Sequence, residues 1–432
     1  MGAPQPGTTL GGALGPARTS RSLRRLRDDP QRLRFEVTAR DGAARTGRVH
    51  LGGGSVATPA FVPLASHGSV RSLAAAEVAE LGFELVLGNT YHLAIRPGAE
   101  AIGALGGLGP FMGWRGATIT DSGGFQVFSL AHGGVADEVK GRGSAREGRG
   151  AVLDIGEEGV RFRSYLDGSE RFLGPEESMR IQARLGSDIA LAFDECTPFH
   201  ADRDYTARST ERTHRWLARC LAWHAERGPR SQAVFGIVQG GIYDDLREAS
   251  AAAVSAPGVD GLAIGGTLGR DKEQMRQVVA RTASLLPDSA PRHLLGIGEP
   301  DDLVAAIASG IDLFDCAVPT RLARHGTALS PTPEQRFRFD LGSSSYALDA
   351  APLVAGCPCA ACRDHTRAYI HHLARARELT AVRLLCLHNL VYLERLAAGA
   401  REAIAGGAFG RYHDAIRAGE PPWDAVATAC GR

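Results

Sequence analysis

The sequence predicts a (β/α)8 barrel that carries insertions, and three observations support this fold class. Eight short apolar runs recur along the chain, helix-like stretches separate several of them, and polar residues stand at their C-terminal ends. Buried strands that alternate with helices form parallel sheets, and eight such units can close into a barrel. The length of 432 residues accommodates one barrel of about 250 residues with additions.

The apolar runs, read as strands, lie at 61–64, 84–88, 117–120, 189–193, 234–238, 261–265, 293–298 and 312–315. The clearest helix-like stretches lie at 175–185, 244–254, 272–286 and 299–308. Two hairpin patterns accompany them, one at 33–38 and 46–51 and one at 160–165 and 170–173. The second hairpin and a Gly/Arg-rich loop at 141–150 fill the long gap after the third run, so we interpret this gap as an insertion.

Composition indicates a folded, soluble chain with a separate N-terminal arm. Apolar residues make up 44% and charged residues 22%, which is close to globular averages and argues against a wholly disordered or fibrous chain. The formal charge of +1 excludes a globally basic surface, so nucleic-acid binding requires a local patch. Residues 1–31 are rich in Gly, Pro, Ser and Arg and predict a disordered arm, with a mitochondrial transit peptide as the alternative.

Nothing in the sequence resembles a membrane span or a secretory signal, which predicts a cytoplasmic protein with no membrane partner. In such a compartment clustered cysteines more often bind metal than form disulfides. Cys357, Cys359 and Cys362 lie within six residues, and His388 follows in a helix-like run at 379–396. Three thiolates and one imidazole close a tetrahedral Zn²⁺ shell, so we predict structural zinc rather than an iron–sulfur cluster, whose common spacings differ.

Polar residues follow four of the predicted strands. Asp121 begins Asp-Ser-Gly-Gly after the third run, Asp194 follows the fourth, Gln239 the fifth, and Asp315 ends the eighth. Barrel enzymes place their active sites at the C-terminal ends of the strands, so these groups should meet at one mouth. Each aspartate could instead cap the next helix. Their combination with glycine pairs, where backbone can approach a planar ligand closely, favours a binding site.

The motifs resemble the tRNA-guanine transglycosylases, the bacterial queuine/preQ1 tRNA-ribosyltransferase family, over about residues 33–410. The matching segments are Gly88-Asn89-Thr90-Tyr91-His92, Arg96-Pro97-Gly98, Asp121-Ser122-Gly123-Gly124-Phe125-Gln126, Phe193-Asp194-Glu195-Cys196-Thr197, Gly236-Ile237-Val238-Gln239-Gly240, Phe314-Asp315-Cys316, Pro319-Thr320-Arg321 and the Cys3His set. The resemblance implies a TIM barrel over 32–432, with a zinc-binding subdomain at 341–392 inserted near its last strand and helix. It also implies a homodimer that exchanges guanine 34 in the tRNA anticodon loop for free preQ1.

The resemblance further assigns roles to individual residues. Asp315 is the expected nucleophile and Asp121 the general acid/base, a division of labour that retaining glycosidases also use. The base is expected to lie among Ser122, Gly123, Gly124, Phe125, Asp194, Gln239, Gly265 and Gly266. The RNA is expected to contact Gly296, Ile297, Gly298, Glu299, Pro300, Asp301, Asp302, Thr320, Arg321, Leu322, Ala323 and Arg324. An unpaired anticodon base can leave its stack to enter such a pocket.

The sequence also departs from the family pattern. Many members carry Gly-Gly-Leu-(Ala or Ser)-Val-Gly-Glu where this chain has Gly265-Gly266-Thr267-Leu268-Gly269-Arg270, which is one residue shorter and lacks the glutamate. Glu299 stands where several members have lysine, and His325 stands where many members have asparagine. The different loop leaves the inserted base open, and the RNA contacts that the family makes at positions 299 and 325 need not carry over to this chain.

Other functions remain as alternatives. The enzyme could use queuine, make archaeosine or act on DNA, although archaeosine-type enzymes have an added C-terminal domain and only 44 residues follow His388. A non-catalytic RNA-binding partner subunit is a further alternative, but such subunits lose the nucleophile. Without the resemblance, the residues alone predict a barrel hydrolase or glycosidase that uses aspartate catalysis.

Overall fold

The computed structural model describes residues 32–131, 152–197, 201–256, 258–266 and 268–431. Both the N-terminal arm at 1–31 and the Gly/Arg-rich loop at 141–150 lie outside these residues, as does Thr267 in the base-pocket loop.

A three-stranded antiparallel sheet opens the described chain, with β1 (Arg34–Asp41), β2 (Ala44–Leu51) and β3 (Gly54–Thr58). The predicted hairpin is confirmed as β1 and β2, joined at Asp41-Gly42, where Gly42 has a φ of 63°. A positive φ costs glycine little, which explains the Asp-Gly turn signal. The third strand was not predicted, because its five residues lack a strong apolar pattern.

The central sheet is a parallel barrel, as predicted. Its strands are β4 (Ala60–Val62), β5 (Leu64–Ala65), β6 (Leu85–Gly88), β7 (Ala117–Thr120), β11 (Ile189–Leu191), β12 (Ala233–Val238), β13 (Gly261–Ile264), β14 (Arg292–Leu294) and β15 (Leu313–Asp315). They pair in the order β4, β15, β14, β13, β12, β11, β7, β6, β5. The strands β4 and β5 are consecutive parts of one extended segment, and they pair with β15 and β6 at the two ends of the sheet. Counted as one strand, they close the sheet into an eight-stranded barrel.

Helices surround the barrel and follow its strands. They are α1 (Ala75–Glu80), α2 (Thr90–Ile95), α3 (Ala99–Ala104), α4 (Leu108–Met112), α5 (Gly124–Ala131), α6 (Pro175–Leu185), α7 (Arg203–Arg227), α8 (Asp244–Ser255), α9 (Lys272–Leu285), α10 (Pro300–Ala308), α11 (Val318–Arg324), α12 (Ala360–Asp364), α13 (Arg367–Arg375), α14 (Leu379–Ala405), α15 (Phe409–Ala418) and α16 (Pro422–Cys430). The four helices predicted from apolar periodicity all form, within one residue at each end. No helix in the described ranges is long and apolar enough to cross a membrane.

Alternating residues of the strands build two apolar cores. One set, which includes Ile119, Leu191 and Leu313, fills the barrel interior together with Val49 and Val56 of the opening sheet. The other set packs between the strands and the helices. The opening sheet therefore covers the end of the barrel where the strands begin, which leaves their C-terminal ends as the accessible mouth.

A buried ion pair connects the opening sheet to the barrel. Arg45 of β2, 1% exposed, donates to both carboxylate oxygens of Asp312 at 2.9 and 2.6 Å. Its remaining donors bond to the carbonyls of Asp288 and Ala290. Both charges of this pair thus have partners, as desolvated charges require.

Two insertions interrupt the barrel. The first is an antiparallel sheet of β8 (Val152–Ile155), β9 (Val160–Arg163) and β10 (Glu170–Leu173), which contains the second predicted hairpin. The second lies between β15 and α14 and contains α11, the pair β16 (Thr327–Leu329) and β17 (Arg338–Asp340), α12 and α13.

Candidate active site and zinc centre

The barrel mouth gathers the polar residues that follow its strands. Asp121 follows β7, Asp194 lies just beyond β11, Gln239 follows β12, Gly265 follows β13, and Asp315 is the last residue of β15. All of these strands are parallel and end at the same side of the barrel. The structure therefore brings together the polar groups that the sequence predicts at the mouth.

A dense set of donors holds the Asp121 carboxylate. Oδ2 accepts from Asn89 Nδ2 at 2.6 Å and from Gln126 Nε2 at 3.3 Å. Oδ1 accepts from the backbone N–H groups of Thr90 at 2.9 Å and Gly123 at 3.2 Å. These bonds fix the orientation of the carboxylate from two strand ends at once.

The pKa of Asp121 lies near neutral pH. Burial, together with the charge of Asp315, raises the pKa of Asp121 to about 7 against the hydrogen bonds from Thr90, Gly123 and Gln126, which lower it. A carboxyl group with a pKa near the working pH can both give and take a proton efficiently.

A second buried carboxylate, Asp194, is joined to an amide and a hydroxyl. It accepts from Ser122 Oγ at 2.8 Å and from Gln239 Nε2 at 2.7 Å. Burial raises the pKa of Asp194 to about 6, with the charge of Glu195 adding to the effect, whereas the bonds from Ser122 and Gln239 lower it. Together the three side chains offer both acceptors and donors, as an edge of a purine-like base requires.

Glycines let backbone approach these side chains closely. A Cβ on Gly266 would lie 2.3 Å from Gln239 Oε1, and the φ of Gly266 is 83°. A Cβ on Gly265 would lie 2.7 Å from Ile237, and one on Gly124 would lie 2.6 Å from the carbonyl oxygen of Asp194. Side chains at these positions would displace Asp194 or Gln239, so the glycines shape the pocket. Phe125, 37% exposed, lies on the first turn of α5.

The residues expected to contact RNA divide into two groups. The first group lies on α11, shortly after Asp315 in the chain. Its partly or fully exposed members are Thr320, Arg321, Leu322 and Arg324, whereas Ala323 is buried. Neither arginine forms an ion pair with another residue of the described ranges. Both guanidinium groups are therefore available to phosphate or base edges.

In the second group, the acidic side chains of 299–302 are taken up by intramolecular ion pairs. Lys272 Nζ lies 2.7 Å from carboxylate oxygens of both Glu299 and Asp301, and Arg276 contacts Asp301 and Asp302 at 2.7 and 2.9 Å. The side chains of Ile297 and Asp302 are buried. Gly298 and Pro300 are buried as well, so Gly296 is the residue of this segment that is exposed without being drawn into an ion pair.

A compact zinc site joins the second insertion to α14. Buried side chains of Cys357, Cys359, Cys362 and His388 contribute ligand atoms that all lie within 4.8 Å of one another. The sulfur atoms lie 3.6, 3.6 and 3.3 Å from His388 Nδ1. Zn–S bonds of about 2.3 Å and Zn–N bonds of about 2.0 Å at tetrahedral angles separate sulfur from nitrogen by about 3.5 Å. The distances thus fit a four-coordinate structural zinc ion, as the cysteine spacing predicts.

The outer contacts of His388 support this role. Its Nε2 lies 2.9 Å from the carbonyl oxygen of Leu329 in β16, which leaves Nδ1 to face the thiolates. A carbonyl partner of this kind fixes the tautomer of a metal-binding histidine. Because Leu329 belongs to the insertion and His388 to the helix that follows it, the zinc site connects β16 to α14.

Comparison with known proteins identifies the family. The family model for queuine tRNA-ribosyltransferase matches residues 41–421. This chain belongs to the queuine tRNA-ribosyltransferase family. A curated relative from Roseiflexus sp. (strain RS-1) with that name is 49% identical over 388 residues, covering 87% of this chain and 97% of the relative. Namesakes from Symbiobacterium thermophilum and Deinococcus radiodurans are each 45% identical, covering 89% and 87% of this chain and 90% and 89% of their own lengths.

The match to the queuine tRNA-ribosyltransferase family confirms the predicted resemblance and covers the barrel mouth and the zinc ligands. Members of this family, the tRNA-guanine transglycosylases, are enzymes. Two residues of the site have no role predicted from the sequence: Asn89, which supports Asp121, and His293, whose Nε2 lies 2.9 Å from Asp315 Oδ1. Asn89 belongs to the motif at 88–92, but its partner Asp121 lies 32 residues further along the chain. His293 begins an otherwise apolar run at 293–298, and this local sequence gives no signal of a polar partner.

Proposed function

We propose that this chain replaces guanine 34 of tRNAs with a GUN anticodon by preQ1, through an ester between Asp315 and C1′ of nucleotide 34. The observation that carries the proposal is the pair of unlike carboxylates at one mouth. Asp121 is held by four donors with a pKa of about 7, and Asp315 stands close enough for its charge to raise that pKa. Such a pair divides nucleophilic and proton-transfer work.

In the first half-reaction, an Asp315 carboxylate oxygen attacks C1′ and the glycosidic bond breaks, with its electron pair going to guanine. The protonated Asp121 gives its proton to the departing base. The products are an aspartyl ester of the ribose, free guanine and an ionised Asp121.

In the second half-reaction, the incoming base replaces guanine in the same pocket. Ionised Asp121 takes the proton from its ring nitrogen, that nitrogen attacks C1′, and Asp315 leaves as a carboxylate. Two displacements retain the configuration at C1′, and no water, metal or oxidant is consumed. The structural zinc takes part in neither step.

The base is recognised by Asp194, Gln239 and Ser122. The ionised carboxylate of Asp194 accepts from N–H groups of the base, while the Gln239 amide donates to its carbonyl oxygen. The bond of 2.7 Å between Asp194 and Gln239 holds both groups ready before the base arrives. Ring stacking by Phe125 and the backbone at Gly265 and Gly266 complete the pocket.

We further propose that Arg321 and Arg324 on α11 bind the anticodon loop, since both lie next to Asp315 without internal ion pairs in the described structure. The proposal includes a cytoplasmic homodimer, as the family resemblance implies. Size-exclusion chromatography with light scattering tests the dimer.

The test of the function uses unmodified tRNA with a GUN anticodon and labelled guanine, followed by a chase with preQ1 or queuine. The proposal expects guanine to enter nucleotide 34 and preQ1 to displace it. Displacement by queuine alone would assign the chain to the queuine-specific alternative, which the short loop at 265–270 leaves open. Release of guanine without incorporation would indicate a hydrolase and overturn the proposal.

A further inference from the structure

We propose that His293 is a positioning residue that donates a hydrogen bond from Nε2 to Oδ1 of Asp315 and thereby orients the nucleophile. The inference rests on the proposed function, in which Asp315 attacks C1′. His293 lies on β14, next to the strand that carries Asp315, and has no role in the two proposed half-reactions.

Strand register places His293 inside the barrel, beneath Asp315. In the parallel pair of β14 and β15, His293 stands opposite Leu313, and Leu313 belongs to the interior core. Side chains alternate along a strand, so Asp315 faces inward two residues later, one layer closer to the mouth. His293 Nε2 lies 2.9 Å from Asp315 Oδ1.

The cost of burying this imidazole points to a specific role. His293 is 0% exposed, in an interior otherwise filled at this level by residues such as Ile237, Ala263 and Leu313. A polar ring without a bonded partner is costly in such a place. In the described structure, Asp315 Oδ1 is the polar atom within hydrogen-bond distance of the ring, although the N–H is not yet aligned with it. Catalytic hydrogen bonds often become aligned only when substrate binds.

The arrangement also fixes the tautomer. Nδ1 has no partner among the described residues, and an orphaned N–H is rarer in protein interiors than an orphaned acceptor. A neutral ring with its hydrogen on Nε2 therefore avoids a buried donor without an acceptor. This tautomer directs the N–H at the carboxylate.

The contrast with Asp121 shows what the contact does. Asp121 has four donors, whereas no donor other than His293 approaches Asp315 within the described ranges. Oδ1 is buried, and the side chain retains 12% exposure, which leaves Oδ2 on the open side. One bond to Oδ1 can thus hold the carboxylate in its attacking rotamer without weakening Oδ2. The same bond stabilises the carboxylate when it leaves in the second half-reaction.

The experiment compares His293→Leu, which fills the space without a donor, with His293→Gln, whose amide nitrogen can occupy the position of Nε2. Rates of adduct formation and resolution are measured with saturating tRNA, and binding of tRNA and guanine is measured separately. We expect His293→Leu to slow both half-reactions by about ten- to a hundredfold without changing either affinity more than about twofold. His293→Gln should recover the rates to within about fivefold of wild type.

Equal rates in wild type and His293→Leu, or equal losses in the two variants, would overturn the positioning role. If His293→Leu does not fold, the ¹⁵N imidazole spectrum of the wild type decides, with His293→Gln used for assignment. The proposal expects a neutral ring protonated at Nε2 whose signal moves on Asp315→Asn, and a ring protonated at Nδ1 would contradict it. Absence of any adduct in the wild type would instead reject the proposed function, so the two failures are distinguishable.

Discussion

Removal of the Asn89 donor should move the pH dependence of both half-reactions. Asn89 Nδ2 donates to Asp121 Oδ2 at 2.6 Å, and Asn89 Oδ1 caps helix α2 by accepting from the His92 N–H at 2.9 Å. Asn89→Ser keeps a good capping residue but removes the donor to the carboxylate. Its effect therefore reports on the proton transfer rather than on the helix.

The magnitude follows from the loss of one hydrogen bond to a charged group. Such a bond contributes about 1.5 to 3 kcal/mol to the ionised form. At 1.36 kcal/mol for each pH unit, its loss should raise the pKa of Asp121 from about 7 by about 1 to 2. The ionised fraction at pH 7 then falls from about one half to between about one tenth and one hundredth. The second half-reaction, which needs ionised Asp121, should slow by about five- to fiftyfold at pH 7.

The sign differs between the two half-reactions. Adduct formation needs protonated Asp121, so in the wild type it should fall as the pH rises through about 7, whereas adduct resolution should fall as the pH drops through the same value. In Asn89→Ser both transitions should move to higher pH together. Single-turnover rates between pH 5.5 and 9 measure them. Transitions that stay within about 0.3 pH of the wild type would refute the role of Asp121. Asn89→Ala, which also loses the cap, serves as the control for stability, with an expected cost of about 1 kcal/mol.

Three further predictions concern the zinc site, the RNA surface and the base pocket. Cys359→Ser should lower zinc content and melting temperature together, the latter by at least about 5 °C, since metal binding at a closed site also stabilises the fold; an unchanged melting temperature in a zinc-free variant would contradict this. Arg321→Ala should raise KM for tRNA and reduce the slope of log affinity against log salt concentration by about 0.7 to 0.9, while KM for the free base stays unchanged. Arg115→Ala, at the opposite end of the barrel, is the control and should change neither KM for tRNA nor the salt dependence. Gly266→Ala should raise KM for the free base by at least about tenfold while tRNA binding persists, because its Cβ would lie 2.3 Å from Gln239 Oε1; a normal KM would show that the pocket does not need this approach.

The sequence was most informative where a signal repeats locally. Apolar runs predicted all eight staves of the barrel because a buried parallel strand needs a continuous apolar segment, and helices such as Pro175–Leu185 matched because their periodicity spans several turns. The sequence predicts the ends of the strands less accurately than their presence. The run at 293–298 was expected to continue as a strand, yet β14 ends at Leu294 and the chain then turns toward α10.

Contacts between distant residues were beyond the sequence analysis. The support of Asp121 by Asn89, the enclosure of His293 beneath Asp315 and the ion pairs of Lys272 with 299–302 depend on which strands are neighbours. Local composition carries no trace of these pairings. The zinc ligands were an exception, because three cysteines within six residues already restrict the chemistry before the fourth ligand is known.

The position of the covalent intermediate decides most directly whether Asp315 is the nucleophile. The enzyme is mixed with tRNA and a base analogue that stalls exchange, denatured, digested with protease and nuclease, and analysed by mass spectrometry. If Asp315 is the nucleophile, a single ribosyl ester should form, on Asp315; it should be absent from Asp315→Asn and should form in Asp121→Gln only at a much reduced rate. An ester on Asp121 or Asp194, or a normal amount of adduct from Asp315→Asn, would contradict this role of Asp315.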